Sequence, residues 1–292
     1  MKRLFNIIAA LTLVAGMATS CDLFKLDNQD GPNAQIYGKI LDSETGEPIQ
    51  VEAVIEDTRV FWGDWLLWGS IDFKGGILFA TEDVSDRWEG SSEEQAWYVR
   101  FNGEYRNNMV FAGKYDINFR KLPVFQPENQ RIEIKKGENN IDFKLLPLSR
   151  VEVKSMEFVG DKIVAKVVVH ATDASKANTV QVLGLYSSTS NFVSRFYAVS
   201  TVTAPTGSVA SEQEITLEMD AKKDGQFAEE FQYDRDHYLR VGTIVSNAMA
   251  TPWGYFNATI NAEGIYNYSE IYKLDWKTKK IEKYDWTTAK KN

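Results

Sequence analysis

The chain has 292 residues, enough for two domains or one large β domain. Its hydrophobic fraction of 43% and aromatic fraction of 13% exclude disorder through most of its length and suit pleated, half-buried surfaces. A net charge of −8 excludes a nucleic-acid partner, which needs clustered Lys and Arg, and argues against charge-driven adhesion to anionic lipid.

Lys2 and Arg3 precede a mostly apolar run, Leu4 to Ala18, of signal-peptide length and too short to span a bilayer comfortably. Small residues Ala18, Thr19 and Ser20 then lead into Cys21, the only cysteine. Small side chains fit a peptidase cleft and the thiol is an acyl acceptor. Residues 1–20 therefore read as a lipoprotein signal peptide and Cys21 as the lipidation site, with several acyl chains giving firm membrane anchoring. A lone Cys excludes an internal disulfide and a Cys-based metal cluster. Residues 21–34 are polar and without periodicity, a flexible tether.

The first domain is expected over residues 35–148. Ile36, Gly38 and Ile40 alternate with Tyr37, Lys39 and Leu41, which predicts a strand. Asp42 to Pro48 has turn composition, with a faint likeness to an acidic calcium loop that turn chemistry explains better. Val51, Ala53 and Ile55 predict a second strand and Trp97, Val99 and Phe101 a third. Asn102-Gly103 is a hairpin signal, since both residues tolerate positive φ. Further strands are predicted at Tyr115-Ile117-Phe119, around Ile132 and Ile134, and at Ile141-Phe143-Leu145, the last preceded by a turn at Gly137-Glu138-Asn139-Asn140. Between the second and third strands lies an irregular, Trp-rich insertion, residues 58–95.

A second domain is expected over 149–276. Val151-Val153, Ile163 to Val169, Val180 to Tyr186, Phe196 to Val202, Ile215 to Met219, Leu239 to Val245 and Tyr266 to Leu274 all read as strands. The Ile163–Val169 run is apolar on both faces, so it is expected to be central. Strands at this spacing with little helical pattern predict an all-β protein of two β-sandwich domains. Residues 277–292 read as a basic, solvated tail.

"IYGKILDSETGEPIQVEAVI" (36–55) resembles the opening of carboxypeptidase-regulatory-like domains, which are transthyretin-like sandwiches. "VRFNGEYRNNMVFAGKYDI" (99–117) resembles the second half of the same domain in Bacteroidetes lipoproteins of the DUF3823 type. "YLRVGTIV" near residue 240 and "YNYSEIYKL" near residue 270 are similar to that family's C-terminal immunoglobulin/fibronectin-like domain. The resemblance covers nearly all of the mature chain. It implies an accessory lipoprotein of a polysaccharide-utilisation system, anchored in the outer membrane at the cell surface beside a porin and a starch-binding-type lipoprotein. It carries no catalytic residues to transfer.

The residues themselves show no nucleophile elbow, phosphate loop or helical metalloprotease motif, and neither His170 nor His237 has helpful metal-ligand spacing. No cofactor and no enzymatic activity are expected. The aromatics are the candidate site, because a pyranose C–H face stacks on Trp or Tyr while acids and amides take its hydroxyls. Trp62, Trp65 and Trp68, with Asp64, form one group; Trp88 and Trp97 follow; Trp253 and Tyr255 form another. The alternative is that these rings only anchor the insertion, or serve a structural or adhesive protein interface. Trp276 and Trp286 read as packing or tail residues.

Overall fold

A computed structural model describes residues 31–52, 56–58, 71–73, 76–85, 92–128, 130–172, 180–204, 210–221, 231, 233–245 and 266–285. The signal segment, Cys21 and most of the tether lie outside the described residues, as does the end of the tail from residue 286. Every element named within the described residues is a strand, so the chain is all-β, as expected.

In the first lobe, β1 (Ala34–Asp42) is central. It pairs antiparallel with β6 (Glu104–Val110), and parallel with β9 (Gly137–Asn140) and then β10 (Phe143–Leu145) along its other edge. Gly38 is required there: a Cβ would lie 1.9 Å from the Ile141 carbonyl oxygen as the chain passes between β9 and β10. The opposing sheet has the order β5 (Glu94–Tyr98), β4 (Ile77–Glu82), β7 (Gly113–Lys121), β8 (Gln130–Ile134). A short hairpin, β2 (Glu56–Thr58) with β3 (Ile71–Phe73), stands apart. The two four-stranded sheets enclose one core, in which Ile36 and Ile40 of β1 meet Leu78, Ala80, Tyr115, Ile117 and Phe119.

Three expectations are corrected in this lobe. Val51 and Glu52, the described part of the second expected strand, lie in no strand, because the Val51 carbonyl and the Glu52 side chain turn toward the second lobe; Ala53 to Ile55 lie outside the described residues. The span 58–95 is not irregular throughout: β4 lies inside the opposing sheet, with Ile77, Leu78, Phe79 and Ala80 buried. Gly137–Asn140 is a strand rather than a turn. Its Asn139 amide donates to the Gln35, Lys135 and Gly137 carbonyls, which holds a polar tetrapeptide beside β1.

In the second lobe β11 (Ser149–Val159), β12 (Lys162–Ala171) and β15 (Glu214–Asp220) form a three-stranded sheet with β12 in the middle, as its apolar pattern predicts. Facing it is a six-stranded sheet in the order β14 (Ser200–Thr203), β13 (Val180–Ser188), β16 (His237–Val245), β18 (Tyr272–Asp275), β19 (Lys280–Lys283), with β17 (Asn267–Tyr268) also on β16. Ile163, Val167, Leu185, Leu217, Leu239 and Leu274 meet between the sheets. A separate cluster of Tyr186, Val193, Ile244, Tyr266, Tyr268 and Ile271 forms a second, smaller core.

Here too the structure corrects the reading. The start of the supposed tail is a sheet edge: β19 pairs with β18, placing Ile281 opposite Leu274, and Ile281 packs on the main core. One apolar residue amid Lys and Glu suffices for an edge strand, where charge also deters pairing with other chains. Phe196 to Ala198 form no strand; the pairing begins at Ser200. Tyr266 to Leu274 is two strands, interrupted where the Ser269 carbonyl accepts from Arg240.

Candidate functional site

Most sequence-predicted site residues, Trp62, Asp64, Trp65, Trp68, Trp88, Trp253 and Tyr255, lie outside the described residues. Trp97 is described, and it is a correction. It is 1% exposed, its ring lies 5.7 Å from that of Tyr115, and its Nε1 donates to Gln95 at 3.2 Å. Its alternation places it on the core face of β5, so it cannot stack a sugar. Trp276 is also a packing residue, stacked on Phe231, with Nε1 donating to Asp234 at 2.8 Å.

The two histidines are structural. His237 sits 4.5 Å from the Phe231 ring and 5.6 Å from that of Trp276, buried against the main core of the second lobe. His170, near the end of β12, lies between Glu212 (Nδ1, 2.7 Å) and Glu152 (Nε2, 2.9 Å). Burial pulls its pKa down, but the two glutamates outweigh this and leave it above the usual histidine range.

What the fold does build is a junction and a groove. At the junction, Arg240 of β16 is 0% exposed. Its guanidinium donates to four oxygens: Ser269 O at 3.0 Å, Val51 O at 3.1 Å, Phe101 O at 3.2 Å and Gln50 Oε1 at 3.4 Å. Three of these belong to the first lobe. The planar fork matches such divergent acceptors in a way a lysine could not. The Arg240 guanidinium also lies 4.3 Å from the Tyr268 ring centre and 5.3 Å from that of Phe101. Burial pulls its pKa down to about 10, with Tyr268 and Glu52 acting in the opposite sense, so it stays charged at neutral pH. Glu52, 1% exposed, accepts from the Tyr268 hydroxyl across the same boundary.

Asn267 extends the junction, donating to Pro123 O at 3.1 Å and accepting from Ser149 N at 3.1 Å. At the rim Arg150 grips the first-lobe turn: Nη2 donates to Asp42 Oδ1 at 2.9 Å and to Glu44 at 2.7 Å. Asp42 also accepts from the Glu44 backbone N–H at 2.9 Å, the side-chain-capped turn that its position in Asp42–Pro48 predicts. These contacts fix the lobes relative to one another.

Beside the junction lies a groove of about 730 Å³ lined by both lobes. Gln50, Tyr268 and Ser269 line it and belong to the junction network, so its floor is held rigidly. The first lobe adds Lys39, Glu47, Asn102 and Glu104; the second adds Glu152, Glu270, Tyr272 and Lys283. Asn102 owes its place to Gly103, whose φ of 75° closes the turn and whose Cβ would meet Ile49 O at 2.8 Å. The lining mixes donors and acceptors with apolar surface from Pro48, Ile49, Val151 and Val153, a composition suited to a polyhydroxyl ligand. Among the described residues no tryptophan lines it. Sequence reasoning missed this site because its residues come from five distant segments. The one usable signal was Arg240, a lone charge inside the apolar run Leu239–Val245.

The chain matches no protein-family model and no curated protein. Solved structures are similar over more than four-fifths of the chain. A candidate carbohydrate-binding protein of Bacteroides uniformis shares 24% identity at a TM-score of 0.61, covering 87% of this chain and 100% of that one. A DUF3823 family protein of Parabacteroides merdae shares 13% identity at 0.59, covering 83% and 98%. Another of that family, from Bacteroides ovatus, shares 19% at 0.56, covering 83% and 98%. The likeness shows the fold, and two of these three neighbours carry the family name that the sequence motifs resemble; none of the three names is that of an enzyme family.

Proposed function

We propose that this protein is a non-catalytic lipoprotein, acylated at Cys21 and held at the outer-membrane surface, that captures polysaccharide or oligosaccharide as an accessory to an uptake system. The observation that carries the reading is the rigid, mixed-polarity groove between the lobes. The Bacteroides uniformis neighbour, a candidate carbohydrate binder with the same fold along its entire length, supports it. Anchoring would keep the groove close to a porin and a starch-binding-type partner, raising the local glycan concentration there. Trp62, Asp64, Trp65, Trp68, Trp88, Trp253 and Tyr255 remain candidate sugar contacts within this proposal on their residue types alone.

A second reading, a protein-interaction subunit, draws on one stretch of the second lobe. Phe192 (57% exposed), Tyr197 (45%) and Val199 (59%) present apolar surface within eight residues of each other. Such a patch suits a partner protein.

Glycan arrays and affinity gels test the proposal, using the acylated protein from its host and the variants Trp65→Ala and Trp253→Ala. Retention by at least one polysaccharide, weakened in a variant, is expected. Unaltered mobility on every glycan would refute it, and an unmodified Cys21 by mass spectrometry would refute the anchor.

A further inference from the structure

Resting on the glycan reading above, the geometry points to a narrower ligand class: the groove takes uncharged sugar chains and rejects those bearing uronate or sulfate groups.

The groove is lined by five carboxylates against three cations. Two of the cations are already committed. Arg150 is bound to Asp42 and Glu44 on the opposite lobe. Lys283 is paired with Glu270. Lys39 remains, beside Glu47 and Glu104; Glu152 is itself paired with Lys154 and His170, so what the lining keeps is a formal excess of carboxylates over cations. An anionic sugar would enter a field of its own sign. Beyond Lys39, it would find a cation only by displacing a pair that is already made, and removing one partner of the Arg150 clasp would uncouple the Asp42 turn from the second lobe.

A neutral chain meets no such obstacle. Its hydroxyls can donate to the carboxylates and accept from the Gln50 and Asn102 amides, and no existing bond need break. Tyr272 packs partly on the second-lobe core but, being only half-buried, leaves the rest of its ring in the groove lining for an apolar sugar face. Affinity built this way changes little with ionic strength, because it depends on hydrogen bonds and stacking rather than on screened charge.

The test is affinity electrophoresis of the mature full-length chain through gels carrying neutral polymers (starch, galactomannan, xyloglucan) or anionic ones (polygalacturonate, alginate, chondroitin sulfate). Retention is expected on at least one neutral polymer and on none of the anionic ones, and unchanged between about 0.05 M and about 0.5 M salt. Tyr272→Ala should weaken neutral retention about fivefold to tenfold, the range of one lost aromatic contact, with a thermal melt confirming that the variant is folded. Glu270→Gln frees Lys283 and should confer measurable retention on polygalacturonate. Retention of an anionic polymer by the unaltered chain overturns the inference while glycan capture stands. Neutral retention unaffected by Tyr272→Ala overturns it by moving the site out of the groove. Absence of all retention overturns glycan capture, and this inference falls with it.

Discussion

Two arginine–carboxylate sets join the lobes, and they differ in how much water they see. Arg240 with Glu52 is enclosed, each at 1% exposure or less, and the guanidinium spends its donors on three first-lobe oxygens and the Ser269 carbonyl. Arg150 with Asp42 and Glu44 sits at the groove rim, the arginine side chain 29% exposed and Glu44 58%. The same chemistry therefore does different things. A buried charge cannot be left without partners, so the inner set dictates how the lobes meet. The outer set is softened by solvent and mainly holds the Asp42 turn against the groove wall.

Removing the inner arginine should hurt most. Arg240→Ala takes the donor from the Ser269, Val51 and Phe101 carbonyls and the nearby positive charge from Glu52 in a closed interface, and we expect a loss of about 3–5 kcal/mol in chemical denaturation. A smaller loss than that of the rim variants would break the comparison.

Asp42→Asn should cost less, about 1–2 kcal/mol, since shape and some hydrogen bonds survive. Acid sharpens this prediction. Burial raises the Asp42 pKa, but the hydrogen bond from Arg150 and those of the turn outweigh it, leaving the folded value below 3.8. The folded pKa is depressed, so its stabilisation is present above pH 3.8 and fades as pH falls through the folded value. Melts of the parent and Asp42→Asn should converge there.

The smallest effect belongs to the exposed His170 bridge. His170→Gln should change stability by less than about 1 kcal/mol. Its sign with pH is the reverse of Asp42: a folded pKa raised above 6.5 stabilises below pH 6.5, and the contribution is lost as pH rises through the folded value. Parallel melts across that window would show the parent's advantage disappearing on the alkaline side.

How far the sequence could be read follows the same division. Alternation exposed β1, β7, β12 and β16 because each buries one or both faces in a lobe's own core. It failed where neighbours decide the outcome. Gly137–Asn140 has turn composition, yet it is a strand because β1 offers it a parallel edge and Asn139 bridges its backbone. Lys280–Lys283 has tail composition, yet Ile281 docks it onto β18. Val51 and Glu52 alternate like a strand, yet the opposite lobe claims them. The groove was illegible for a geometric reason: Lys39, Glu47, Asn102, Glu152 and Lys283 are brought together only once the lobes are locked. Trp97 has the ring a sugar would stack on, but it occupies the core face of β5, which residue type alone does not reveal.

Hydrogen–deuterium exchange of the full mature chain, with and without an oligosaccharide cut from a retained polymer, tests the central claim most directly. The account predicts slowed exchange in segments 39–50, 102–104, 149–153 and 267–272, which together line the groove. Protection confined to residues 59–70 or 246–265, with those four segments unchanged, would contradict it.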